Sequence, residues 1–407
     1  MGQGESGTRL VVFSDDWGRH PSSCQHLIRH LLPRYPTLWV NTIGTRPPRL
    51  SWEDAGKAWH KLRSWMGRGP GPATALPGNL RTLAPRMYPG FRRHWQRRLN
   101  ARLISRAVAA AWPPDPARRT VILTTLPITA DLVGRLPADR WVYYCVDDFS
   151  VWPGMDGDVM QAMEGQQVLQ VQACIAASQM LRQRLAALGT TASLLTHGID
   201  LEHWGLAAAP PSPAAKAAQP AEPNTLPGWC RGLSRPILLF WGLIDARLDV
   251  AWCRAVLERG VGTLVLVGPQ QAPPAELAAL AQRSAGRLVL PGPAPYEVLP
   301  VLARWADALI MPYADLSVTR AMQPLKFKEY LAAGWPEQFR PVIARALPAT
   351  QEWADAADLV TGADEFVAAL RRRVAQGVPE GQRQARQRLA GESWAAKARE
   401  LEAVINR

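Results

Sequence analysis

Short, unbroken apolar runs, each closed by a polar or glycine-bearing loop and followed by helical spacing, recur in two series along this chain. The first series falls at residues 9–14, 38–40, 121–125, 141–146, 173–177 and 193–195. The second falls at 237–241, 264–267, 288–290, 308–311, 341–344 and 359–360. Apolar runs without alternation are strands covered on both faces, and strands that alternate with helices build parallel sheets. At 407 residues the chain exceeds one ordinary core. The expected fold is therefore α/β with two doubly wound domains. The stretch 205–235 is rich in Ala and Pro and reads as a linker. The expected division is a first domain over 1–204, that linker, a second domain over 236–385 and a C-terminal helix over 386–407.

Composition narrows the function. No apolar run reaches the roughly 18 residues of a membrane span, and Met1–Gly7 is small and polar rather than signal-like. Cys24, Cys145, Cys174, Cys230 and Cys253 are odd in number and lack paired metal spacing, which points to reduced thiols in a cytoplasmic protein. No zinc, calcium or phosphate-loop pattern appears, so neither a metal nor a resident cofactor is expected. Gly2, Gly4 and Gly7 form a G-x-G-x-x-G that precedes the first strand, whereas a dinucleotide loop must follow one. The net charge of +13 calls for an anionic partner, unless it only reflects the Arg-, Ala- and Pro-rich usage of a GC-rich genome.

Residues 91–110 predict a basic helix. Phe91, Trp95, Leu99 and Leu103 form one stripe, surrounded by Arg92, Arg93, Arg97, Arg98, Arg102 and Arg106. Two readings follow: adsorption to an anionic bilayer or acceptor, at the inner face of a membrane, or a domain-surface helix whose stripe faces its own core.

Pro324-Leu325-Lys326-Phe327-Lys328-Glu329-Tyr330-Leu331-Ala332-Ala333-Gly334 predicts a short helix, with Pro324 at its first position and Gly334 at its exit. Lys326 and Glu329 share a face opposite Phe327 and Leu331. Free N–H groups at a helix start, joined by an ammonium, suit a phosphate. A carboxylate one turn on can accept two sugar hydroxyls. The plain alternative is an amphipathic helix with a surface Lys–Glu pair.

Two loops add carboxylates. The first strand runs into Asp15, Asp16, Trp17, Gly18 and His20, at the sheet edge where open α/β folds bind ligands. The strand at 141–146 runs into Asp147 and Asp148, which suit either chemistry or a helix cap with a solvated neighbour. His197, in Thr196-His197-Gly198-Ile199-Asp200, reads as structural.

Taken in order, these pieces resemble the GT-B glycosyltransferases of the family-4 type. The pieces are 11–14 with Trp17 and Pro21, 142–148, Ala177-Ser178, His197 to Asp200, 240–249, 266–269, 309–313 and, most specifically, 324–334. The resemblance implies two Rossmann-like domains facing a cleft, with the final helix crossing back to the first. It implies a retaining, metal-independent hexosyltransferase that moves a sugar from a nucleotide-sugar donor to a glycan or lipid-linked acceptor in cell-surface glycan synthesis. Gly18, Gly242, Arg247, Leu325, Lys326 and Glu329 would hold the donor. Arg247 and Lys326 would neutralise its diphosphate, and Glu329 would bind the ribose. Asp147, Asp148 and, more weakly, Asp16 would orient or deprotonate the acceptor.

The chain departs from that pattern at three places. Ala321 stands where the family's first glutamate of Glu-x7-Glu would fall, residues 335–340 are inserted beside the expected donor site, and Leu243 follows Gly242 where an Arg is usual. The rival functions are a nucleotide-sugar epimerase on the same fold and a non-catalytic protein that binds anionic membrane or RNA.

Overall fold

A computed structural model of the chain describes residues 7–18, 22–41, 76–152, 155–205 and 226–407. Gly2, Gly4, His20, Pro21 and most of the 205–235 linker lie outside these residues. Two compact units divide the chain. One comprises Met1–Thr196 with Lys397–Arg407, and the other His197–Ala396. The residues His197 to Trp204, grouped by sequence with the first domain, thus belong with the second.

The first unit holds β1 (Thr8–Ser14), β2 (Thr37–Asn41), β3 (Leu80–Leu83), β4 (Arg119–Thr124), β5 (Arg140–Cys145), β6 (Ala173–Ala176) and β7 (Ala192–Leu194). They form one sheet in the order β3-β2-β1-β4-β5-β6-β7, with every pairing parallel. The second unit holds β8 (Ile237–Trp241), β9 (Thr263–Val267), β10 (Leu288–Gly292), β11 (Ala308–Met311), β12 (Val342–Arg345) and β13 (Asp358–Val360). Their order is β10-β9-β8-β11-β12-β13, again all parallel. Each sheet therefore reverses its winding direction once, between β1 and β4 and between β8 and β11. At such a switch point the loops leaving two neighbouring strands part and open a crevice at the carboxyl edge.

The apolar runs are strands because helices cover both sheet faces. All five residues of β8 and of β9 are buried. The edge strands carry little of that signal: in β3 Leu80 is buried while Arg81 and Thr82 are exposed, and in β7 Ser193 and Leu194 are exposed. The five cysteines are buried and unpaired. Lys397–Arg407 joins the first unit through Tyr35, whose hydroxyl donates to Glu402 at 2.7 Å and accepts from Asn406 Nδ2 at 3.0 Å.

The basic helix forms over His94–Ala111, but the expected stripe is rotated. Its core-facing residues are Asn100, Ala101, Ile104 and Val108; of the expected stripe, Phe91 is buried just ahead of the helix, Leu103 is half-buried, and Trp95 and Leu99 are exposed. Both sets recur at helical spacing. The core accepted the small and β-branched side chains that fit under β3 and the neighbouring Pro127–Leu132 turn.

The inserted residues 335–340 follow the end of the helix Leu325–Ala332, and Trp335 packs beside Gly205, next to Trp204. The helix starts at the carboxyl edge, and its far end lies about 12 Å along the axis. There Gly334, at φ +84°, makes the turn; a Cβ would lie 1.9 Å from the Gln338 carbonyl. Arg383 and Arg386 donate to the carbonyls of Glu337 and Arg340, both at 2.8 Å, and tie the insertion to the helix Glu380–Arg386.

Candidate functional site

The second sheet's switch point is built by two loops and a helix. The loop after β8 begins at Gly242, which donates its N–H to Val267 at 2.9 Å. Farther along, Ala314 N–H donates to the Arg247 carbonyl at 2.7 Å and Asp249 N–H to the Pro312 carbonyl at 2.8 Å. The loops after β8 and β11 are thus stitched together beneath Arg247. The helix Leu325–Ala332 closes the third side, with Pro324 at its N-cap rather than at its first turn. Tyr330 pins it: Trp241 N–H donates to the Tyr330 hydroxyl at 3.1 Å, and the two rings lie 4.2 Å apart.

This framework fixes Lys326 in an unusual place. Its Nζ is buried and has no hydrogen-bond partner. It sits 4.1 Å from the Phe240 ring centroid and 4.8 Å from that of Tyr313. An ammonium is attracted to ring faces, but these replace only part of its lost hydration. Gly242 makes room, since a Cβ there would lie 2.1 Å from Nζ. Burial, and then the nearby Arg247 charge, push the Lys326 pKa down from 10.5 to about 7.

Arg247 shares Tyr313, with its guanidinium carbon 5.9 Å from the ring centroid. Asp245 holds it in place by bonds of 3.0 and 2.8 Å. Lys328, two residues on, makes a useful contrast. It is also buried, but Glu392 at 2.5 Å and the His197 carbonyl at 2.6 Å satisfy it. Lys328 holds the unit together, whereas Lys326 Nζ has no hydrogen-bond partner and feels Glu329 and Asp245 only at a distance.

Glu329 lies one turn beyond Lys326. Trp241 Nε1 donates to its Oε2 at 3.0 Å and the Tyr296 hydroxyl to its Oε1 at 3.3 Å. Burial raises its pKa against the pull of these bonds and of Lys326. One lone pair on each oxygen is occupied, which orients the carboxylate and leaves the others able to accept a pair of hydroxyls. An aromatic wall surrounds it. His203 stacks on Tyr296 at 4.1 Å and Trp204 on Trp241 at 5.2 Å. Sequence reasoning missed Trp241, Tyr296, His203 and Trp204; the density of aromatic residues around 200–204 and 240–241 was the available signal. Leu325, at the helix start, is half-buried beside this site.

The first sheet gathers the remaining candidates at its own carboxyl edge. Asp16 and Gly18 follow β1, beside the end of β4, where Thr125 Oγ1 donates to Ser14 Oγ at 2.9 Å. Buried Gln25, also missed from sequence, organises the loop. Its Nε2 donates to the Asp15 carboxylate at 3.2 Å and the Asp16 carbonyl at 3.3 Å, and its Oε1 accepts from Gly18 N–H at 3.0 Å. Gly18 has φ +77°, and no atom would obstruct a side chain there. Asp147 and Asp148 follow β5. Asp148 takes the capping role: it accepts from Ser150 N–H at 3.0 Å and pairs with Arg184 at 3.1 Å. Arg184 in turn pairs with buried Glu164. Among the described residues, no three His, Cys, Asp or Glu side chains gather as a metal-ligand group.

Two all-parallel sheets of one strand order, each presenting polar loops at its switch point, define the GT-B fold. No protein-family model and no curated protein matches the chain. Solved structures do match. The E. coli trehalose-6-phosphate protein bound with UDP-2-fluoro glucose superposes with a TM-score of 0.67 at 15% identity, covering 98% of this chain and 99% of that one. The UDP-forming α,α-trehalose-phosphate synthase from Burkholderia xenovorans gives 0.64 at 15% identity, covering 98% and 99%. The Candida albicans trehalose-6-phosphate phosphatase N-terminal domain gives 0.65 at 12%, covering 100% and 98%.

Proposed function

We propose that this chain is a glycosyltransferase that moves a sugar from a nucleoside-diphosphate donor to a hydroxyl of a glycan or lipid-linked acceptor. The observation that carries the reading is Lys326, a buried ammonium without a hydrogen-bond partner, seated on Gly242 at the switch point with Arg247 beside it. A diphosphate is the ligand this pair suits. As the bond from sugar to diphosphate breaks, negative charge grows on the leaving group, and fixed cations that already face it stabilise that transition state. Side chains thus supply the positive charge that a metal ion supplies elsewhere. Glu329 accepts the two ribose hydroxyls, its carboxylate oriented by Trp241 and Tyr296 and backed by the stacked rings of His203 and Trp204. UDP is the nucleotide to test first, because the structure of similar fold from E. coli holds a UDP sugar.

The acceptor hydroxyl is assigned to the carboxylates of the first unit. Asp147, Asp148 and Asp16 are the groups to orient or deprotonate it, and Asp148 also caps the loop and pairs with Arg184. The retaining outcome and the cell-surface role follow from the resemblance to family-4 enzymes.

Glu329→Ala is expected to raise the KM for donor on the order of 10- to 100-fold with a smaller change in kcat, since ribose recognition is made equally in ground and transition states. The same variant would no longer distinguish UDP from its 2′-deoxy analogue in a thermal-shift titration. Unchanged discrimination would remove Glu329 from the site. Release of nucleoside diphosphate that depends on added acceptor separates transfer from an epimerase, which converts donor alone.

A further inference from the structure

We infer that the outward face of the helix His94–Ala111 is a docking surface for an anionic lipid bilayer. The inference is independent of the donor site. The core takes Asn100, Ala101, Ile104 and Val108. Trp95, Leu99, Arg102 and Arg106 recur at intervals of four, three and four, so they form a second stripe, rotated by roughly half a turn from the first. Trp95 and Leu99 are 49% and 37% exposed.

The surface is built, not frayed. Asn100, 1% exposed, accepts from Tyr88 N–H at 2.7 Å and donates to the carbonyls of Tyr88 and Gly90, both at 3.1 Å. This clamp sets the half-exposed Tyr88 ring edge-on to Trp95 at 5.0 Å. Between Arg86 and Ala111 the chain has seven arginines and no acidic residue. Arg97 turns inward to Asp131 at 2.7 Å, and Arg92 lies 3.2 Å from Asp156. Arg86, Arg93, Arg98, Arg102 and Arg106 are exposed.

Each part suits the membrane interface. Tryptophan and tyrosine settle at headgroup level, and arginine stems lie along apolar surface while their guanidinium groups reach phosphates. Leu99 decides between lipid and nucleic acid: an aliphatic side chain at the centre of the patch gains from acyl chains but neither stacks on a base nor bonds to one. Among the described residues no helix is long and apolar enough to cross a membrane.

The test is co-sedimentation of the full chain with vesicles of neutral phosphatidylcholine, and with vesicles carrying one part in three of anionic phosphatidylglycerol, at two salt concentrations. Binding to the anionic vesicles should be at least ~10-fold tighter and weaken with salt. The double change Trp95→Ala and Leu99→Ala should reduce it ~10-fold. The triple change Arg98→Gln, Arg102→Gln and Arg106→Gln should weaken binding and reduce its salt dependence. Leu169→Ala, which trims another exposed leucine, should change nothing. Equal sedimentation with both vesicles, or none, overturns the proposal. So does tighter binding to single-stranded RNA than to anionic vesicles, or full binding by both the double and the triple variant.

Discussion

Lys326→Met is expected to lower turnover on the order of 10²- to 10³-fold, the loss that follows removal of one preorganised charge from a transition state, or about 3–4 kcal/mol. Methionine keeps the length of the side chain and suits the rings of Phe240 and Tyr313, so the fold should survive. The ligand-free protein should even gain stability. A lysine whose folded pKa is depressed from 10.5 to about 7 opposes folding while the unfolded chain keeps its proton. Between pH 10.5 and 7 the unfolded state binds more protons, so stability falls as pH drops through that window, and below about 7 the full cost remains. The melting temperature of Lys326→Met should therefore exceed that of the parent at pH 6.5, and the gap should narrow toward pH 10. A gain of stability on removing the lysine, paired with a loss of turnover, is the trade expected where a charge is held for a ligand. Lys328→Met should do the reverse, destabilising the unit by leaving Glu392 and the His197 carbonyl without their shared partner.

Gly242→Ala should nearly match the catalytic loss by another route. The added methyl would meet Lys326 Nζ at 2.1 Å and Cε at 2.9 Å. Gly242 also sits at φ +135°, where an L side chain is strained by about 1–3 kcal/mol. The obstructing atoms belong to the far end of a flexible side chain, so the lysine is displaced while the backbone stays. Expected is a folded protein with turnover lowered on the order of 10²-fold and diphosphate affinity reduced alongside. The measurement is kcat and donor Kd beside a denaturation curve. Full activity in Gly242→Ala would show that Lys326 need not occupy this seat.

The two series of strands were legible because sheets covered on both faces demand unbroken apolar runs, and β8 and β9 are such runs. The edge strand β3 was not, since one covered face leaves little pattern in Leu80–Leu83. The basic helix shows a different limit. Two stripes of equal spacing compete for the core, and the bulk of Trp95 and Leu99 suggested the wrong one. At the candidate site, Lys326 and Glu329 were visible from their helix. What made them unusual was not: the buried, unpartnered Nζ depends on Phe240 within β8 and Tyr313 after β11, and the orientation of Glu329 depends on Trp241 and Tyr296, 88 and 33 residues away. Asp148 shows the reverse, a carboxylate at the right edge of a sheet whose oxygens are engaged by Ser150 and by an arginine 36 residues on.

The most direct measurement is calorimetric titration of UDP into the protein at pH 8, repeated in buffers of different ionisation enthalpy, which counts the protons taken up on binding. With Lys326 titrating near pH 7 when empty, a bound diphosphate should restore its ordinary pKa and draw in close to one proton per nucleotide. Lys326→Met should bind UDP at least ~10-fold more weakly and take up none. UDP that binds both proteins equally well, or binds without proton uptake, would contradict a diphosphate seat on Lys326.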